Sequence, residues 1–138
     1  MGKIKKKLTT ILLDTNALIW LLSSPNGKPL GQQAKKVIRQ ADSVYVSVVS
    51  ILEIQIKTML GELKSSITLL DDIESAGLKS VPFNMEHAEA ISIFSNLSKH
   101  DPFDRMLLAQ AKVEGFLFLT SDRLLLDQNI AFLINARD

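Results

Sequence analysis

Short, uninterrupted apolar runs alternate along this chain with longer stretches in which apolar residues recur every three or four positions. Ile11-Leu12-Leu13 is the first short run, ending at Asp14, and Thr15 to Leu22 then reads as a helix. Pro25, Gly27, Pro29 and Gly31 crowd together and predict a loop. Gln32 to Ala41 carries Ala34, Val37, Ile38 and Ala41 at helical spacing, with Lys35, Lys36 and Arg39 as the wet face. Ser43 to Val49 is β-branched and aromatic, which predicts a strand leading directly into a helix through Leu60. A helix over Ser65 to Ala76 stops at Gly77, and Leu78 to Phe83 predicts a short strand. Met85 to Leu97 and Pro102 to Glu114 read as helices, the second closed by Gly115. Phe116 to Thr120 predicts a strand, Arg123 to Asp127 a short helix, and Ile130 to Ile134 a last strand.

Strands that alternate with helices and lack internal polar alternation predict a mostly parallel sheet covered on both faces. The expected architecture is one three-layer α/β/α domain over residues 1–138, without repeats or linkers. Apolar residues at 46% and charged residues at 22% suit a folded domain and exclude a disordered chain. A net charge of +1 argues against coating nucleic acid by bulk electrostatics, but leaves room for a nucleic-acid enzyme with a local site. The absence of cysteine removes disulfides, thiolate nucleophiles and Cys-ligated zinc, and makes a cytoplasmic location the default. Lys3, Lys5, Lys6 and Lys7 before an apolar stretch mimic a secretion signal, but Asp14 and Asn16 cut that stretch short. No run approaches a membrane span, so no membrane partner is expected.

Several chemistries lack their residues. The glycines allow neither a dinucleotide-binding nor a phosphate-loop motif, and no GxSxG or HExxH can be written. What stands out is the placement of acids. Asp14 follows the first strand and Asp122 the strand ending at Thr120, so a parallel sheet brings both to its carboxyl edge, where such folds bind ligands. Glu53 is ringed by Val49, Ile56 and Leu60. Asp101 and Asp104 open a helix around Pro102-Phe103, Asp101 as the cap and Asp104 one turn in beside the apolar face. Each acid has a plain alternative: Asp14 and Asp122 as helix caps, Glu53 paired with Lys57 at i+4. His87 and His100 read as surface or loop residues. If Asp14, Glu53, Asp104 and Asp122 converge, each pair ~5 Å apart repels by roughly 3 kcal/mol at an effective dielectric of ~20. Protonation, an arginine such as Arg105, or a bound cation must then offset the repulsion. An all-oxygen cluster selects Mg²⁺ or Mn²⁺, the usual apparatus of phosphate-ester chemistry.

Four segments in this order resemble the PIN domain: Ile11 to Asn16, Ser50 to Glu53, His100 to Arg105, and Leu119 to Asp122. The resemblance covers nearly the whole chain and is greatest to VapC-type ribonuclease toxins, in particular those with the Asp-Pro-Phe-Asp-Arg run seen at 101–105. That subgroup often has His where Asn16 stands. The resemblance implies a five-stranded parallel sheet, Mg²⁺ or Mn²⁺ held by Asp14, Glu53, Asp104 and Asp122, a homodimer, and a small antitoxin that blocks the site. It favours Asp104 over Asp101 as the third ligand and leaves one or two metals open.

The expected activity is metal-dependent endonucleolytic hydrolysis of RNA with 5′-phosphate products. Glu53 would hold a second metal or orient the attacking water, while Thr15, Asn16 and Thr120 would fix the carboxylates. Arg105 would either pair with an acid or contact phosphate. A housekeeping RNA-processing nuclease is the alternative within the same family. A phosphoacceptor receiver domain fits less well, because Asp14 has no acidic neighbour and Ile134 leads to Asn135 without a lysine. A non-enzymatic binding module would have no use for the full acid set.

Overall fold

The structure is a computed structural model that describes residues 8–23, 29–64, 67–97 and 100–138. The Lys3 to Lys7 run, part of the Pro25–Gly31 loop and the start of the helix expected from Ser65 lie outside these residues. Five strands, β1 (Thr10–Leu13), β2 (Ser43–Ser47), β3 (Lys79–Val81), β4 (Leu117–Thr120) and β5 (Leu133–Asn135), form one sheet in the order β3-β2-β1-β4-β5. Every pairing is parallel. The helices are α1 (Thr15–Ser23), α2 (Gln32–Gln40), α3 (Val48–Met59), α4 (Leu69–Ser75), α5 (Met85–Ala90), α6 (Pro102–Glu114) and α7 (Arg123–Leu126).

Alternation along the central strand divides the core into two halves. Leu12 faces one side with Leu107, Leu108, Phe118 and Leu125, whereas Ile11 and Leu13 face the other with Leu18, Ala34 and Leu119. Ile11, Leu12 and Leu13 are all fully buried, which is why the run carries no polar residue.

Local chemistry sets the element ends. Ser47 accepts a hydrogen bond from the Val49 N–H at 3.0 Å and caps α3, so β2 stops two residues before the expected Val49. Pro82 has no N–H to give a ladder, and β3 ends at Val81 rather than Phe83. Asn129 turns the chain in the left-handed region (φ 56), and β5 starts only at Leu133. The helix expected over Met85 to Leu97 is broken: α5 ends at Ala90 and a 3₁₀ segment covers Ile91–Leu97, with Phe94 outside helical geometry. The Ser92 hydroxyl donates to the Glu89 carbonyl at 3.0 Å there, a side-chain bond that competes with the helical pattern. Asp101, Pro102 and Gly115 bound α6 where the sequence places its ends.

His87 corrects its sequence reading. It is fully buried rather than on the surface, because its ring is part of the α5 cap. Nδ1 accepts from the Asn84 N–H at 3.0 Å, which leaves the ring proton on Nε2, 2.8 Å from Glu114 Oε2 on α6.

The C-terminal residues close over the start of α2: the Gly31 N–H donates to the Ala136 carbonyl and the Ala34 N–H to the Asp138 carbonyl, both at 3.0 Å. Gly31 has an ordinary extended conformation (φ −70), so close approach and not backbone freedom requires the glycine. A Cβ there would overlap the Asp138 backbone. Gly31→Ala should therefore destabilise the protein by about 1–3 kcal/mol, read as a lowered midpoint in urea denaturation; an unchanged midpoint would contradict this packing.

Candidate functional site

The strand order reverses at β1. The chain moves outward from β1 to β2 and β3, then crosses back to β4 and β5, which leaves a crevice beyond the carboxyl ends of β1 and β4. Asp14 is the residue after β1, and its N–H donates to the Leu119 carbonyl of β4 at 2.9 Å. Its Oδ1 caps α1 by accepting from the Ala17 N–H at 2.6 Å. Its Oδ2 accepts from the Thr120 hydroxyl and the Ser121 N–H, both at 2.9 Å. Burial pushes the Asp14 carboxyl above its ordinary range; the hydrogen bonds from Ala17, Ser121 and Thr120 pull it back, and the Glu53 charge adds to the upward push. Thr120 also accepts from the Asp122 N–H at 3.0 Å, so one hydroxyl ties the end of β4 to both aspartates.

Glu53 sits on the buried side of α3, with both carboxylate oxygens occupied. Thr15 Oγ1 donates to Oε1 at 2.6 Å and lies 3.0 Å from the Ser50 hydroxyl. Lys57 Nζ reaches Oε2 at 2.6 Å, so the i+4 pairing forms around a carboxylate that is itself buried. That bond to Glu53 raises the Lys57 ammonium above its ordinary value despite its burial, with help from the charges of Glu53, Asp101 and Asp104.

Asp104 and Asp122 meet around His100. Nε2 of His100 is 2.9 Å from Asp122 Oδ2 and 3.4 Å from Asp104 Oδ2, and one donor atom from each residue lies within 4.8 Å of the others. His100 is thus not a loop residue outside the site: its side chain is only 14% exposed, because it stands one turn before Asp104 and folds back over the acids. That i, i+4 spacing across the helix start was the available signal. Burial pushes the Asp104 carboxyl up to about 9, reinforced by the proton it shares with Asp122 and by the charges of Asp122, Asp101 and Asp14. Burial alone would raise Asp122 too, but the Leu125 N–H, the Asp104 proton and His100 together hold it below the ordinary carboxylate range.

The other candidates take outer positions. Asp101 is exposed and caps α6, its Oδ1 accepting from the Phe103 N–H at 2.8 Å and the Asp104 N–H at 3.4 Å. Asn16 Nδ2 donates to the Ser121 hydroxyl at 3.5 Å on the rim. Arg105 makes no ion pair among the described residues, and its Nε is buried without a hydrogen-bond partner. The electrostatic influences run through the whole group, from Glu53 to Asp14, from Asp14 to Asp104 and from Asp122 to Asp104.

The family model of the PIN domain matches residues 11–129. The chain belongs to the PIN domain family. No curated protein sequence matches it. Solved structures share the PIN fold at low identity. A toxin–antitoxin complex from Klebsiella pneumoniae superposes with a TM-score of 0.65 at 16% identity, over 91% of this chain and 97% of that one. FitAcB from Neisseria gonorrhoeae gives 0.58 at 24% identity, over 91% and 97%. VapC20 from Mycobacterium tuberculosis, a sarcin-ricin-loop-cleaving toxin, gives 0.57 at 14%, over 91% and 99%. Among the described residues no helix is long and apolar enough to cross a membrane.

A divalent cation suits this PIN-domain donor set: donor atoms of His100, Asp104 and Asp122 from separate elements lie within 4.8 Å of one another, and burial together with the neighbouring acids keeps a proton on Asp104 far above the usual range. Between pH 4 and about 9 the folded protein holds a proton on Asp104 that the unfolded chain has lost, so cation-free stability should fall as pH rises. Thermal midpoints measured in chelator should decline from pH 5 to 9, and Asp104→Asn should flatten the decline. A midpoint rising over that range in the wild type would contradict the assignment.

Proposed function

We propose that this chain is a divalent-metal-dependent endoribonuclease of the VapC toxin type. The observation that supports the reading is the clustering of Asp104, Asp122 and His100 donor atoms within 4.8 Å, with the charge of Asp14 bearing on Asp104 and that of Glu53 on Asp14, at the sheet edge where the strand order reverses. Asp14, Asp104 and Asp122 would hold Mg²⁺ or Mn²⁺, directly or through water. When bound, the cation supplies charge neutralisation at the scissile phosphate and activation of a water molecule. Hydrolysis adds that water's oxygen to phosphorus and breaks the bond to the 3′ oxygen, leaving 5′-phosphate and 3′-hydroxyl ends.

The chain's own residues supply orientation. Thr120 fixes one oxygen of Asp14 and the backbone of Asp122, so two carboxylates from β4 and β1 move as one unit. Thr15 and Lys57 hold Glu53 from opposite oxygens, which leaves it to orient water through its remaining lone pairs. Arg105, unpaired with any acid among the described residues, would contact RNA phosphate. Asp14 does not suit a phosphoacceptor role, since it is 3% exposed and both its oxygens are engaged.

The neighbours' toxin–antitoxin assemblies favour a cognate antitoxin as partner. A homodimer is expected on the same family grounds.

Incubation with structured RNA should give cleavage in Mn²⁺ and none in EDTA, and Asp14→Asn and Asp104→Asn should abolish it. Cleavage persisting in EDTA and in both variants would refute the mechanism. Thr15→Val, which frees one oxygen of Glu53, should lower the cleavage rate roughly 10- to 100-fold while RNA binding holds.

A further inference from the structure

We propose that His100 is a nitrogen ligand of the cation, so that the centre is a mixed carboxylate–imidazole site that takes Mn²⁺ in preference to Mg²⁺. The inference rests on the metal-dependent reading above and adds a ligand to it. Neighbouring donors of a six-coordinate ion with bonds of about 2.1 Å stand about 3 Å apart. His100 Nε2 stands 2.9 Å from Asp122 Oδ2 and 3.4 Å from Asp104 Oδ2. Those are the edges of one ligand face, already assembled from the segment before α6, from α6 itself and from the cap of α7.

The donor group that includes the imidazole holds oxygens of Asp104 and Asp122 and none of Asp14 or Glu53. Glu53 has one oxygen on Thr15 and the other on Lys57, and Asp14 has its oxygens on Ala17, Thr120 and Ser121. Asp104 Oδ2 and Asp122 Oδ2 both face the ring. The ring is mostly shielded from solvent, so its approach to the acids is not a casual surface contact. Imidazole nitrogen suits the first-row transition ions, whereas Mg²⁺ prefers oxygen and retains its waters. A nitrogen on this face therefore shifts the site toward Mn²⁺.

The sequence makes the test clean, because the chain has only one other histidine. His87 is sealed between α5 and α6 with both ring nitrogens engaged. Tag-free full-length protein loaded with Mn²⁺ should show a directly coordinated imidazole nitrogen in pulsed electron paramagnetic resonance. Incorporation of ¹⁵N-histidine should convert that signal to the ¹⁵N pattern, a readout that needs no variant. His100→Ala should remove the signal and weaken Mn²⁺ binding about 10- to 100-fold, with a smaller change for Mg²⁺. If the wild type binds Mn²⁺ in a manner lost in Asp104→Asn yet shows no histidine nitrogen, His100 is not a ligand while the metal-dependent reading stands. If the wild type binds no Mn²⁺ at all, both fall together.

Discussion

Carboxylates far apart in the chain act on one another at the carboxyl edge of the sheet, and offsetting their burial and mutual repulsion is the constraint around which the local structure is arranged. Asp14 comes from the end of β1, Glu53 from α3, Asp104 from the first turn of α6 and Asp122 from the end of β4. The fold brings them together because a parallel sheet delivers every strand's carboxyl end to one edge, and the reversal at β1 opens that edge between β1 and β4. Three devices make the arrangement tolerable without a cation. Backbone N–H groups and Thr120 hold Asp14, Lys57 and Thr15 hold Glu53, and a retained proton with the His100 ring separates Asp104 from Asp122.

These devices divide the acids by role. Asp14 and Glu53 are satisfied from within the protein and form a rigid wall. Asp122 is held by the Leu125 N–H and His100 as well as by Asp104, and Asp104 keeps a proton that a divalent ion would displace. Capping and site chemistry are not alternatives at Asp14 and Asp122. Each gives one oxygen to a helix N-terminus; Asp122 turns the other to His100, and Asp14 turns its other to Thr120 and Ser121 at the end of β4.

The sheet was legible because its signals are local. A three-residue apolar run with both faces buried, Ile11 to Leu13, cannot be mistaken for a half-exposed strand, and Pro102 with Gly115 marks α6 at both ends. The positions of Asp14, Asp104 and Asp122 were legible because they follow from strand ends and a helix start, and that of Glu53 from its apolar neighbours at helical spacing. The histidines were not. His87 is buried through a cap bond to Asn84 and a contact with Glu114 across 27 positions, and His100 is drawn in by Asp122 from 22 positions away. The long-range contacts leave no periodic trace in the sequence, and only the i, i+4 spacing of His100 and Asp104 was there to be read. The break at Phe94 was hidden for a similar reason: Ile91 to Leu97 has helical composition, and nothing local in it marks the 3₁₀ segment.

The central claim is that a divalent cation relieves the repulsion stored between Asp104 and Asp122, and unfolding in the presence of Mn²⁺ addresses it without reference to RNA. At pH 8 the thermal midpoint of the wild type should climb with Mn²⁺ concentration, as expected for an ion that binds only the folded state, and Asp104→Asn should not respond. A wild-type midpoint that ignores Mn²⁺ into the millimolar range would contradict the account.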